Sequence, residues 1–186
     1  MLERLNEIRY TSNVDTLIAS GEGDKIEFKA SLHHPYESEP PDPRKPKPTQ
    51  KEIEKILRKS VTKTIAAFLN SEGGTLLVGV ADSGSALGIE PDFEHLKQGK
   101  QNADGWQLSL QEVIINALGA EVWNAVRVSL VSHGSQTVAV VSCPSRTTET
   151  WHREDGGERF YIRAANGTRE LNGPSLLSYI REHWPV

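Results

Sequence analysis

At 186 residues and a net charge of −4 the chain has the size of one ordinary domain, and its 37% hydrophobic content, gathered in periodic blocks, excludes global disorder. No apolar run approaches the roughly 18 residues of a membrane span, and Met1–Leu5 carries an acid and opens no long apolar stretch, so a soluble, cytoplasmic protein without a membrane partner is expected. The single cysteine, Cys143, excludes an internal disulfide or a thiolate zinc site and reads as a small buried hydrophobe.

Leu2, Leu5 and Ile8, then Val14, Leu17 and Ile18, predict a helical lead-in within residues 1–20, interrupted around Thr11–Asn13 and broken at Gly21–Asp24. Lys25–Lys29 alternates as a strand that turns Ile26 and Phe28 to the core and Glu27 and Lys29 to the other face. Residues 33–48 hold so many prolines and charges that they predict an exposed loop or arm. Thr49 with Glu52 makes a capping box for the clearest helix, whose stripe of Ile53, Ile56, Leu57, Val61, Ile65, Phe68 and Leu69 ends at Gly73-Gly74. Thr75–Val80 then reads as a strand covered on both faces, Ala81–Gly84 as a turn, and Ala86–Ile89 as a segment able to pair back. Leu108–Leu118 predicts an amphipathic helix, Ala125–Val131 with Gln136–Cys143 a hairpin, Phe160–Arg163 a short strand, and the residues after Asn172 a final helix through Ile180. The fold class expected is α/β or α+β, a single domain over residues 1–186 with a mixed central sheet flanked by helices.

Charge is distributed unevenly. Eight of the 21 basic residues and two of the 25 acids fall between Arg44 and Lys63, net +6, so the rest of the chain is net −10. Arg44, Lys45, Lys47, Lys51, Lys55, Arg58, Lys59 and Lys63, with Arg163 and Arg169 near the C-terminus, are the candidate phosphate contacts of a nucleic-acid partner. The same run reads equally as a solvated helix with a charged leader. Tyr36, Trp106, Trp151 and Tyr161 are candidates to stack on unpaired bases, although aromatics on strands are more often core.

Gly21-Glu22, Ile26–Lys29, Ile65–Asn70 followed by Gly73–Asp82, and Phe160–Arg163 with Gly167-Thr168 together resemble the AlbA-type domain of the Schlafen superfamily, over about Leu17 to the C-terminus. Residues 35–48 are an insertion relative to the usual short connection. The resemblance implies a mixed α/β nucleic-acid-binding domain. In animal Schlafens such domains are paired in tandem and act as an endoribonuclease on tRNA through three acids, which position by position match Glu22, Glu27 and Asp82. In bacteria similar domains are DNA-binding modules attached to other regions. A lone domain of a kind that works in tandem implies a homodimer.

Three acids suit the chemistry, because phosphodiester hydrolysis needs charge relief and an activated water, and Mg²⁺ or Mn²⁺ held by carboxylates supplies both, with Lys29 assisting. Asp82 follows the C-terminal end of a buried strand, where ligand sites of α/β sheets tend to lie. Continuous strand would hold Glu22 and Glu27 on opposite faces roughly 17 Å apart, so their convergence requires Gly21–Asp24 to bend back. The bland alternative stays open: Glu27 and Lys29 as a simple charge pair, Glu22 as a loop acid, Asp82 as a turn residue. No G-x-x-x-x-G-K-[ST] string occurs, so no P-loop nucleotide site is expected, and the six histidines show no helical i, i+4 metal pair. His34 and His152 are candidate assistants to phosphate chemistry. Two functions follow: a nucleic-acid-binding domain with a metal-dependent endoribonuclease site, or a non-catalytic DNA-binding, protein-interaction or oligomerisation module.

Overall fold

The computed structural model describes residues 14–36 and 47–185. The first part of the expected lead-in helix and most of the Pro-rich arm, with Arg44 and Lys45, lie outside the described residues. Residues 14–20 are helical (α1), and β1 (Ile26–Lys29) follows. Helix α2 (Gln50–Leu69) starts where the capping box predicts: the Thr49 side chain accepts from Glu52 N, and the Glu52 carboxylate accepts from Thr49 N at 2.7 Å. The helix carries the chain across to β2 (Gly74–Val78), which pairs with β1 in parallel. β2 in turn pairs antiparallel with β4 (Gln136–Cys143), whose hairpin partner is β3 (Arg127–His133), giving the sheet order β1-β2-β4-β3.

Alternation along these strands splits the core in two. Leu76, Val78, Ala139 and Val141 pack with Ile65, Phe68 and Leu69 of α2 and with Trp106, Leu110 and Ile114 of α3 (Ala103–Leu118). Phe28, Leu77, Val80 and Val138 face the other way, against Val14, Leu17 and Ile18 of α1. Glu27 and Lys29 stand in register with Leu76 and Val78, so they lie on the face that α2 covers and are only partly exposed. After β2 the predicted turn closes as a tight return: Val80 bridges Ala86, and Leu87 N and Gly88 N both donate to Gly79 O. Gly79 has φ +92, and a Cβ there would stand 2.8 Å from the Gly88 carbonyl carbon, so the return needs glycine at that crossing.

Helix α3 begins five residues before the predicted Leu108, because Asn102 caps it by accepting from Gly105 N at 2.8 Å. A 3-10 turn (Glu90–His95) precedes it and the short α4 (Ala120–Ala125) follows. The larger difference is a second sheet, β5 (Trp151–Glu154), β6 (Gly157–Ala164) and β7 (Gly167–Leu171), antiparallel throughout, of which only the centre of β6 was visible as apolar sequence. The flanking strands read Trp-His-Arg-Glu and Gly-Thr-Arg-Glu-Leu, and polar strands of four or five residues carry no periodic signal. Helix α5 (Gly173–His183) completes the chain.

The second sheet hangs on the C-terminal end of α2. The fully buried Asn70 donates through Nδ2 to Thr150 O (2.8 Å) and Tyr161 O (2.9 Å), accepts Thr150 N on Oδ1 (2.7 Å), and receives the Tyr179 hydroxyl of α5 on its own carbonyl. Asn70→Ala leaves three buried backbone groups unpaired and is expected to cost about 3 kcal/mol or more in urea unfolding, against well under about 1 kcal/mol for an exposed control such as Asn124→Ala.

Candidate nucleic-acid interface

The first half of α2 is amphipathic, with Lys51, Lys55, Arg58 and Lys59 at i, i+4, i+7 and i+8, one stripe of a helix. Because Asn70 fixes β5 and the β5–β6 turn beside that stripe, a cleft of about 690 Å³ opens between α2, α3 and β5, lined by these four cations, Arg153, Glu154 and Asp155. An adjoining hollow of about 350 Å³ shares Arg58, Val113 and Asn116 with it and adds His33, His95, Lys97 and Lys100. Seven lysines and arginines against three acids make this surface net positive in a chain of net charge −4.

Several of these charges are paired. Lys55 with Asp155 is a surface ion pair of a kind usually worth no more than about 1 kcal/mol, so phosphate can compete for its ammonium group, whereas Lys59 pairs with Glu154, a mostly buried carboxylate that also accepts from the Tyr161 hydroxyl. Arg58 is better held, donating to Glu54 and through Nη2 to His33 Nδ1 at 3.1 Å. A guanidinium only donates, so His33 Nδ1 is a lone pair and Nε2–H points to Ser109 Oγ at 3.0 Å. Burial pushes the His33 imidazole down to about 4, with Arg58 lowering it further and the Asp92 carboxylate opposing. Below this pair, buried Asp92 accepts Leu32 N (2.9 Å), His33 N (2.8 Å), His34 N (2.6 Å) and Trp106 Nε1 (2.7 Å), tying the segment after β1 to α3.

The acids named from the sequence lie on a different part of the fold. Gly21, at φ +70, and the Gly23 N bond to Ile26 O bend the chain back, so that Glu22 Oε1 accepts Phe28 N at 2.8 Å. Glu27 receives Lys29 Nζ on Oε1 at 2.6 Å and Arg163 Nη1 on Oε2 at 2.9 Å. Asp82 sits exposed on the turn after Val80. Donor atoms of Glu22, Glu27 and Asp82 do not form one group within 4.8 Å; among the described residues that spacing is met by His34, Glu94 and His95.

Of the remaining predicted cations, Lys47 is exposed ahead of α2, Lys63 lies 5.5 Å from the Tyr161 ring centre, and Arg169 is exposed on β7. Arg163 is inside the fold: its side chain is 3% exposed, stacks 4.8 Å over the Phe68 ring and bridges β6 to Glu27 of β1. Trp106 and Tyr161 are core residues, whereas Tyr36 is exposed. Lys97, Lys100 and Arg153 were missed because each stands alone in polar sequence and joins the cleft only through the tertiary fold.

The neutral His33 predicts a pH dependence. Its folded pKa lies below the ordinary value near 6.5, so the unfolded state takes up a proton first, and stability falls as pH drops from about 6.5 toward 4. Burial also lowers His152, which adds in the same direction. Unfolding free energy is expected to fall by on the order of 2 kcal/mol between pH 7 and 4.5, with a shallower decline in His33→Gln.

The architecture has counterparts in known structures. No curated protein sequence matches the chain. The crystal structure of the DIP2311 protein from Corynebacterium diphtheriae is similar with a TM-score of 0.58 and 18% identity over 97% of this chain, which shows the fold; this chain spans only 34% of that one. The solution structure of the N-terminal domain of a RecG-related protein from Nitrosomonas europaea aligns with a TM-score of 0.48 at 21% identity, covering 89% of each chain. The family model described as Schlafen, AlbA_2 matches residues 22–172, from the acidic turn before β1 through β7 to the cap of α5. A match over that span, on this mixed sheet with its appended three-stranded sheet, places the chain in the Schlafen, AlbA_2 family.

Proposed function

We propose that the chain is a nucleic-acid-binding domain whose phosphate contacts are made in the cleft between α2, α3 and β5. The observation that carries this reading is the cluster of Lys51, Lys55, Arg58, Lys59, Lys97, Lys100 and Arg153 around one trough on an otherwise acidic chain. Cations spaced by turns of α2, about 6 Å apart, suit a repeating anion better than a single small ligand. The partner of Lys55 in the cleft, Asp155, is an exposed carboxylate that exchanges at little cost, and Lys51, Lys97 and Lys100 are themselves exposed. Family membership supports the same reading.

The finer reading is a Mg²⁺- or Mn²⁺-dependent endoribonuclease acting on structured RNA such as tRNA through Glu22, Glu27 and Asp82 with Lys29. In its favour, the bend at Gly21 brings the Glu22 carboxylate back to β1. Against it, both Glu27 oxygens are taken by Lys29 and Arg163, so the three acids as arranged are not a ligand set for a hard cation and no metal-dependent step follows from them. Binding is therefore the function the geometry supports best.

Two measurements test these readings. Affinity for single-stranded RNA and DNA should fall with salt, with a log–log slope on the order of −3, and the exposed triple variant Lys51→Glu, Lys55→Glu, Lys100→Glu should weaken binding more than about tenfold and flatten the slope. Equal slopes for the two proteins would remove the cleft from the interface. For catalysis, Asp82→Asn is the clean probe, because Asp82 is exposed whereas Glu27 holds a buried arginine. Chelator-sensitive tRNA cleavage by the native chain, lost in Asp82→Asn at unchanged melting temperature, is the result the nuclease reading requires.

A further inference from the structure

The sequence showed no histidine pair at metal-binding spacing, yet the fold assembles one from segments 61 residues apart. Asp92 accepts the backbone N–H of His34 and thereby holds the segment after β1 against the 3-10 turn that carries Glu94 and His95. There His34 Nδ1 and Glu94 Oε1 are 3.0 Å apart, His95 Nε2 and Glu94 Oε1 3.2 Å, and His34 Nδ1 and His95 Nε2 3.3 Å. An ion bound at zinc's ordinary distance of about 2.0–2.1 Å in tetrahedral geometry separates its ligand atoms by about 3.3–3.4 Å. The three edges thus already outline one face of such a tetrahedron, with little closure left for an ion to drive.

We propose that His34, Glu94 and His95 form a binding site for an imidazole-seeking divalent ion of the zinc class, with one coordination position left to exchangeable ligand. Two imidazole nitrogens and one carboxylate suit zinc, whereas magnesium prefers a shell of oxygens. Without the ion, both ring nitrogens lie within hydrogen-bond distance of the one Glu94 oxygen, and a bound cation takes the place of the proton between them. Gln50 Nε2 lies 3.1 Å from His95 Nδ1 and also donates to His33 O and Glu54 Oε1, which ties the His95 ring to the start of α2 and holds its Nε2 toward Glu94. His95 lines the hollow that also contains Arg58, Lys97 and Lys100, so the fourth position lies beside the proposed phosphate trough, where water or a phosphate oxygen can occupy it. The site is independent of Glu22, Glu27 and Asp82.

The test uses the full chain without an affinity tag, stripped with chelator and titrated with Zn²⁺ alone, so its result does not depend on nucleic-acid binding. Calorimetry should give about one Zn²⁺ per chain and no saturable binding of Mg²⁺. Glu94→Gln, a change at an exposed side chain, and His95→Gln should each weaken Zn²⁺ more than about tenfold, and the zinc-induced rise in melting temperature seen in the native chain should be lost. Absence of saturable zinc binding would show only a hydrogen-bonded cluster and overturn the proposal. So would Glu94→Gln binding zinc as tightly as the native chain, because the ion would then sit elsewhere.

Discussion

A single buried amide sets the place of the second sheet, on which the cleft depends. Asn70 ends α2 and pairs three ways with the backbone around Thr150 and Tyr161, so the second sheet is hung from the helix. Buried amide pairing of this kind is costly to leave unmade, which makes the attachment specific as well as stabilising. Arg163 closes the same junction from β6, reaching Glu27 on β1 while its guanidinium stacks on Phe68 of α2. Two sheets and one helix are thereby joined. The cleft lies beside this junction: the last ten residues of α2 are mostly buried while the first ten stay open, with β5 lying alongside their cations.

A second buried polar centre shapes the other end of the trough. Asp92 gathers three backbone N–H groups and the Trp106 indole, which places His33 against Arg58 and His34 against Glu94 and His95. Glu27 and Asp92 are both engaged with the interior of the fold. The sequence gives no warning of this for Glu27, whose alternation with Phe28 suggests a solvent-facing residue; a sheet covered on both sides makes it an internal ion-pair partner instead.

Local signals carried much of the fold. The Thr49–Glu52 capping box, the apolar stripe of α2, the buried run of β2 and the β3–β4 hairpin each depend on neighbours within a few residues, and each is present, with β3 starting and ending two residues later than its pattern predicts. β5 and β7 were illegible because they are short and polar and are held by pairing to β6. The start of α3 was hidden by Asp104 and Gly105, which look like loop until Asn102 is seen to cap them. For the site, the basic stripe of α2 was legible as periodic charge, but Lys97, Lys100 and Arg153 and the His34–Glu94–His95 cluster arise from contacts across tens of residues. Trp106 shows the converse: an aromatic that suggested base stacking is anchored in the core by its own N–H.

The path proposed for nucleic acid runs along α2 in the trough closed by α3 and β5. Backbone amide resonances followed during titration with a short single-stranded RNA test it most directly. Perturbations are expected to concentrate at residues 51–62, 97–100, 112–117 and 152–155, fading at high salt, with the β3 edge and α5 unaffected. Perturbations centred on α5 or the β3 edge, or none at saturating RNA, would contradict it.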